Sequence, residues 1–197
     1  MKPRIFIYGF SDYASVRSNP SAVVARGLKG YSPNKVEIRS AVFRVAYVSV
    51  RRQLRKILDR QPYDAVIGFG AAPGSRIMRL EKRARKPPMA KAGKRFLDSN
   101  LKLAPILRAL ARKKIRTRVS YDAGTYLCNF SYYITASIVK ARRANTKYCF
   151  IHLPLVRVRK RDGTYRYVSG SKSLLMQASR AILDAVVYQL SAKTFII

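Results

Sequence analysis

The sequence predicts an α/β fold, a three-layer α/β/α sandwich forming a single domain over residues 1–197, with a mostly parallel, twisted sheet covered on both faces. Three observations predict it. Near-continuous apolar runs of strand length recur at residues 4–10, 63–69 and 148–155, and strands without a polar face are those buried on both sides. Helical stretches separate them, the alternation from which parallel sheets are built. Nearly half of the 197 residues (48%) are hydrophobic, so the chain can bury one compact core in spite of its charge.

Taken in order, residues 4–10 read as a buried strand running into a glycine turn, followed by a polar loop over 11–19. Pro20 sits at a helix start with Asn19 as its cap, and Gly30 stops that helix. Residues 35–43 alternate apolar and polar side chains, as in a half-exposed strand. Over 48–58, Val48, Val50, Leu54, Ile57 and Leu58 lie near one helical face with the arginines outside. Pro62 breaks this helix, and the strand at 63–69 closes on Gly68-Phe69-Gly70. Residues 77–85 read as one strand, with Met78 and Leu80 on one face and Arg79, Glu81 and Arg83 on the other. Two prolines, a glycine and several cations make 86–100 an irregular loop. A helix over 105–113 ends in a basic cluster suited to a helix C-terminus, and a short strand covers 115–120. Asp122-Ala123-Gly124 turns the chain into a helix over 126–143. After the strand at 148–155, residues 156–168 form a hairpin around Asp162-Gly163. Ser171 caps the last helix, whose apolar stripe is Leu174, Ala178, Ile182, Ala185 and Leu190.

Charge sets this sequence apart. It has 41 Lys and Arg against 9 Asp and Glu, a formal net charge of +32. Cations such as Arg51, Arg52, Arg55, Lys56 and Arg60 stand where a soluble enzyme normally mixes signs, which predicts a supercharged surface. Such a surface attracts nucleic acid and anionic membranes in a nonspecific, salt-dependent way. No apolar run approaches the roughly 20 residues of a membrane span, and no secretion signal is visible, so a cytoplasmic protein without membrane insertion is expected. Two cysteines without metal-ligand spacing argue against a disulfide framework or a zinc module.

The candidate chemistry is confined to few residues. The only histidine is His152, and the only glutamates are Glu37 and Glu81. Cys128 follows a turn that opens a helix, where backbone N–H groups and the positive helix end favour a thiolate. A buried structural cysteine is the alternative, and Cys149, inside an apolar strand, fits that description instead. His152 falls at the end of the same strand, where catalytic groups of open α/β sheets gather. Between Cys128 and His152 there is room for one helix and a return strand. Glu81 lies among Arg79, Lys82 and Arg83. Spacing favours a carboxylate balancing those cations over one that orients His152.

Family-level features bear on that choice. Asp122-Ala123-Gly124-Thr125-Tyr126-Leu127-Cys128-Asn129 resembles the nucleophile motif of pyroglutamyl peptidase I, the pyrrolidone-carboxylate peptidases. Phe150-Ile151-His152-Leu153-Pro154 resembles that family's histidine motif. Gly70-Ala71-Ala72-Pro73-Gly74 with Leu80-Glu81 resembles its glycine-rich loop and glutamate motif, and Gly9-Phe10 with Asn19-Pro20-Ser21 its N-terminal signature. The resemblance implies a cysteine exopeptidase that removes N-terminal pyroglutamyl residues from peptides, without metal or cofactor. It implies Cys128 as nucleophile, His152 as base and Glu81 as the acid orienting it, with Phe10, Tyr13 and Ala71 at the substrate. Relatives of this kind form dimers or tetramers.

Three stretches depart from the family pattern. Ser11-Asp12-Tyr13-Ala14-Ser15 replaces a glycine-rich loop, Ser75 stands where arginine is common, and the 86–100 loop is basic rather than acidic. A catalytically weak or inactive relative that binds nucleic acid is therefore the competing expectation. The basic hairpin with Tyr165 and Tyr167 is its main support.

Overall fold

The computed structural model describes residues 2–14, 16–32, 36–142 and 145–191. Ser15, Lys35 and Arg143, which belong to the predicted first loop, second strand and fourth helix, lie outside the described residues. The elements are β1 (Arg4–Phe10), α1 (Pro20–Gly27), β2 (Glu37–Phe43), α2 (Tyr47–Arg60), β3 (Ala65–Pro73), β4 (Met78–Glu81), β5 (Arg83–Arg85) and β6 (Phe96–Asp98). They continue as α3 (Leu103–Arg112), β7 (Thr117–Ser120), α4 (Leu127–Ala141), β8 (Lys147–Arg159), β9 (Tyr165–Val168) and α5 (Lys172–Ser191). A seven-stranded sheet runs in the order β2-β1-β3-β8-β4-β7, with β9 paired to β8. Strands β1, β2, β3 and β8 are parallel to one another, and β7 is parallel to β4. Strand β4 runs antiparallel to β8. The mixed α/β architecture with a mostly parallel sheet is the predicted one.

Both faces of the sheet are covered, as strands apolar on both sides require. On one face Ile5, Ile7, Ile67, Leu80 and Ile151 pack with α1, α3 and α5. On the other, Phe6, Tyr8, Val66, Tyr148 and Phe150 pack with α2 and α4. Helix α1 starts where its caps predict: the Asn19 side chain accepts from the Ser21 N–H at 3.1 Å, with Pro20 at the first position. The Ser21 hydroxyl in turn accepts from the Phe10 N–H at 3.0 Å, tying the helix start to the end of β1.

Several elements differ from expectation. Val48 is 81% exposed, and the buried stripe of α2 is Val50, Leu54 and Leu58; Val48 sits two residues from Val50, off a stripe spaced by four. Leu174 is likewise exposed, and Leu175 takes its place in the α5 stripe. Strand β3 continues through Gly70 to Pro73, because β8 pairs with it as far as Leu155. The predicted strand over 77–85 breaks at Lys82 into β4 and β5. Within the predicted loop, Phe96–Asp98 pairs antiparallel with β5. The hairpin is present, with Gly163 at φ 78° supplying the left-handed turn residue. Its first strand is the uninterrupted continuation of β8.

Candidate active site

Sheet register brings the scarce titratable groups together. His152 lies near the middle of β8, with Gly70 of β3 beside it on one side and Arg79 of β4 on the other. Because side chains alternate, Tyr148, Phe150 and His152 all point towards α4, and so do Arg79 and Glu81. Glu81 is paired with Phe150, so it reaches His152 along the diagonal. Diagonal neighbours are separated by about 7–8 Å and meet only through long side chains. The carboxylate spans it: Glu81 Oε1 lies 2.7 Å from His152 Nδ1. Both side chains are buried, at 0% and 4% exposure. Arg79 Nε stands 3.4 Å from the same carboxylate oxygen, so the acid serves a guanidinium and an imidazole at once. Glu81 thus contacts both an arginine neighbour and His152.

Helix α4 lowers Cys128 onto these inner strands of the sheet. Gly70 makes room for it, since a Cβ there would lie only 2.7 Å from the Cys128 sulfur. The thiol is half-buried, whereas Cys149 is buried. With Nδ1 taken by Glu81, Nε2 is the ring nitrogen left to the thiol. Tyr126, the residue before α4, offers no side-chain cap to the first-turn N–H groups beside Cys128.

The electrostatics follow from these contacts. Burial of the imidazole opposes its charge, but the Cys128 thiolate and its hydrogen bond, followed by Glu81, outweigh it and raise His152 to about 9. Burial pushes the Cys149 thiol up to about 12, so that group stays protonated. Among the described residues no three His, Cys, Asp or Glu side chains cluster so as to hold a metal.

A family model for pyroglutamyl peptidase matches residues 3–188. The chain belongs to the pyroglutamyl peptidase family. It is 28% identical over 168 residues to a pyrrolidone-carboxylate peptidase of Saccharolobus islandicus, covering 77% of this chain and 79% of the relative. A pyrrolidone-carboxylate peptidase 1 of Caldanaerobacter subterraneus subsp. tengcongensis is 26% identical over 202 residues, covering 93% and 99%. A mutant pyrrolidone carboxyl peptidase from Pyrococcus furiosus superposes with a TM-score of 0.87 at 20% identity, covering 95% of this chain and 99% of that one. The Thermococcus litoralis pyrrolidone carboxyl peptidase gives 0.86 at 22% identity, covering 98% and 96%. These two structures share the fold.

The other candidate residues of this pyroglutamyl peptidase family member fall into two places. Phe10 is buried beneath the site, its ring edge-on to Tyr8 and Phe43. Tyr13 and Ala71 sit at the mouth, in a small cluster with Val16, Leu155 and Tyr167. Burial raises the Tyr13 hydroxyl to about 12, and the charge of Cys128 adds to the effect. Sequence reasoning gave no role to two residues that brace this part of the structure, Tyr132 and Asn129. The Tyr132 hydroxyl donates to the Glu81 carbonyl at 3.1 Å, while its ring stacks on Phe150. The Asn129 side chain bridges β5, accepting from the Arg85 N–H and donating to the Arg85 carbonyl, both at 2.8 Å. A signal existed: Asn129, Ser131, Tyr132 and Thr135 crowd into one apolar helix, and buried polar groups demand internal partners.

Proposed function

We propose that the protein is a cysteine exopeptidase that hydrolyses the N-terminal pyroglutamyl residue from peptides through Cys128, His152 and Glu81. The observation that carries this reading is the 2.7 Å contact of Glu81 with His152, beside a thiol seated against Gly70, in a chain of this family. The Cys128 thiolate attacks the carbonyl carbon of the scissile amide, and its oxygen becomes an oxyanion facing the N–H groups at the start of α4. As the intermediate collapses, the His152 imidazolium gives its proton to the departing amine, leaving a thioester on Cys128. Neutral His152 then takes a proton from water, the hydroxide displaces the thiolate, and pyroglutamate leaves. Glu81 holds Nδ1 protonated throughout, so that Nε2 faces the sulfur.

Tyr13 and Ala71 flank the lactam ring in this reading, and Phe10 supports that wall from below. The cationic surface adds weak, salt-screened association with polyanions, and its self-repulsion opposes assembly into the dimers or tetramers the resemblance implies. No helix among the described residues is long and apolar enough to cross a membrane.

The test is release of a fluorogenic amine from a pyroglutamyl amide by reduced protein, with Cys128→Ser beside it. Turnover lost in the variant supports the assignment. A folded wild type without turnover refutes it.

A further inference from the structure

Strand β8 outruns its neighbours in the sheet. Past Leu155, its last residue paired with β3, it continues with β9 as a two-stranded ribbon, and every residue from 157 to 166 is exposed. The ribbon carries five cations, Arg157, Arg159, Lys160, Arg161 and Arg166. Among the described residues none of them stands within ion-pair distance of a carboxylate. Its one acid, Asp162, is engaged by the Thr164 N–H at 2.9 Å and the Thr164 hydroxyl at 2.6 Å. Register sorts the side chains. Arg157 lies opposite Tyr167 and Arg159 opposite Tyr165, so all four share one face. Tyr167 anchors that face by packing against Val16, Ala71 and Leu155. Tyr165 is 50% exposed, and the Arg157 guanidinium carbon lies over its ring, 3.7 Å from the centroid. That is contact distance, whereas the other arginine–ring pairs among the described residues stand at 5.0–5.5 Å.

We propose that this face binds single-stranded nucleic acid, with bases stacking on the Arg157–Tyr165 platform and phosphates meeting the neighbouring cations. Unpaired bases stack on aromatic rings and on guanidinium planes alike, and a ring already under a guanidinium presents both. A second copy of the chain carries the same +32 charge and the same basic ribbon, so like charges oppose its docking here. The site stands apart from the peptidase reading above and does not depend on it. It also differs from the general attraction of a cationic protein for polyanions, because charge alone does not distinguish a strand with bases from one without.

The experiment is a fluorescence-anisotropy titration of the whole, reduced chain against two labelled strands. One is an oligo(dT) of about 12 nucleotides, within the footprint of one small binding surface; the other is an abasic strand with the same number of phosphates. At roughly 0.15 M salt, where the screening length is about 8 Å, wild type is expected to bind the oligo(dT) at least about fivefold tighter, the scale of one stacked base. Tyr165→Leu removes that margin and Tyr165→Phe keeps it, with the abasic affinity unchanged in both. If Tyr165→Leu lowers the abasic affinity as well, Arg157→Lys, which keeps the charge and removes the planar guanidinium, takes its place with the margin expected to fall. Arg159→Gln/Arg161→Gln flattens the slope of log K against log salt by about 1.4, the share of two phosphate contacts on a single strand. Arg108→Gln/Arg112→Gln, which removes the same charge from α3 across the sheet, leaves the slope as in wild type. Melting curves report that each variant folds. Equal affinity of wild type for the two strands overturns the proposal, leaving charge as the only attraction. Equal flattening in the two double variants also overturns it, assigning the binding to net charge. Sedimentation that finds the chain paired with a second copy, and freed by Arg159→Gln/Arg161→Gln, overturns it as well, since the ribbon is then occupied by that copy.

Discussion

Replacing Gly70 with Ala puts a methyl group where the Cys128 sulfur rests. The new Cβ would lie 2.7 Å from the sulfur and 2.9 Å and 3.0 Å from two atoms of the Phe150 ring. Nonbonded carbon atoms are comfortable at about 3.5–4.0 Å, so a neighbour must retreat by roughly 1 Å. Phe150 has little freedom to do so, since Tyr132 stacks on it and His152 packs against its edge. The sulfur, at the start of a helix and half-exposed, is what moves. A displacement of about 1 Å at a reacting atom costs on the order of 100-fold in rate, or about 2.7 kcal/mol of transition-state stabilisation. Overpacking lowers stability by about 1–3 kcal/mol besides. The assay is kcat/KM on a pyroglutamyl amide, with the rate of Cys128 alkylation by iodoacetamide and a thermal melt alongside. Gly163→Ala is the control. It forces an alanine into φ 78° with nothing within 4 Å of the new methyl, costs about 1–2 kcal/mol of strain, and leaves the thiol untouched. Gly70→Ala with wild-type kcat/KM and an unchanged alkylation rate would refute the placement of Cys128 against β3.

Further outcomes follow from the same geometry. Glu81→Asp withdraws the carboxylate by about 1.5 Å, one C–C bond, turning the 2.7 Å contact with His152 into no hydrogen bond; kcat should fall at least about tenfold, and wild-type kcat would show that the diagonal reach is irrelevant. His152 is raised from its ordinary 6.5 to about 9, so its stabilising contribution is complete below pH 6.5 and is lost as the pH climbs through about 9. Cys128→Ala removes the strongest contribution raising it, so the difference in melting temperature between wild type and variant should shrink over that window; a constant difference contradicts the coupling. Tyr132→Phe keeps the stacking on Phe150 but removes the donor to the Glu81 carbonyl, and a melt should register a loss of about 1 kcal/mol with a severalfold lower kcat. An activity loss without any stability loss would point to a different role for that hydroxyl.

Strands buried on both faces advertise themselves, so β1, β3 and the inner half of β8 were legible from composition alone, and the Asn19-Pro20 pair marked the start of α1. What the sequence concealed was pairing. Nothing in residues 77–85 announces that β4 runs against β8, because alternation is the same in either direction. That direction sets Glu81 diagonal to His152 rather than directly opposite it. Local spacing consequently favoured a carboxylate serving only its arginine neighbours, and the contact between residues 71 positions apart had to come from the sheet. The break at Lys82 escaped notice for a similar reason, since the partner of β5 lies beyond two prolines in a stretch that reads as loop. Val48 and Leu174 were placed on the wrong side because they stand two residues from Val50 and one from Leu175, and each step along a helix turns by about 100°. Cys128 and His152 were easier, being scarce residues at a helix start and on a buried strand, although His152 was expected at the strand's end and stands near its middle because β8 runs on to Arg159.

The antiparallel direction of β4 leaves it open to an error that its own hydrophobic pattern cannot correct. A slip of two residues along β8 preserves which face each side chain occupies, so Met78 would simply inherit the place of Leu80. Arg79 would then stand opposite Phe150 where Glu81 now stands, presenting a guanidinium to the imidazole in place of a carboxylate. What forbids the slip lies past the end of the strand: Lys82 donates to the Ser120 carbonyl at 2.6 Å and accepts from the Ser99 N–H at 2.8 Å, and Tyr132 holds the Glu81 carbonyl. A chain that closed before this latch engaged would be compact, well packed and inert. A folded, well-packed fraction that lacks activity after refolding is the signature expected of that slip.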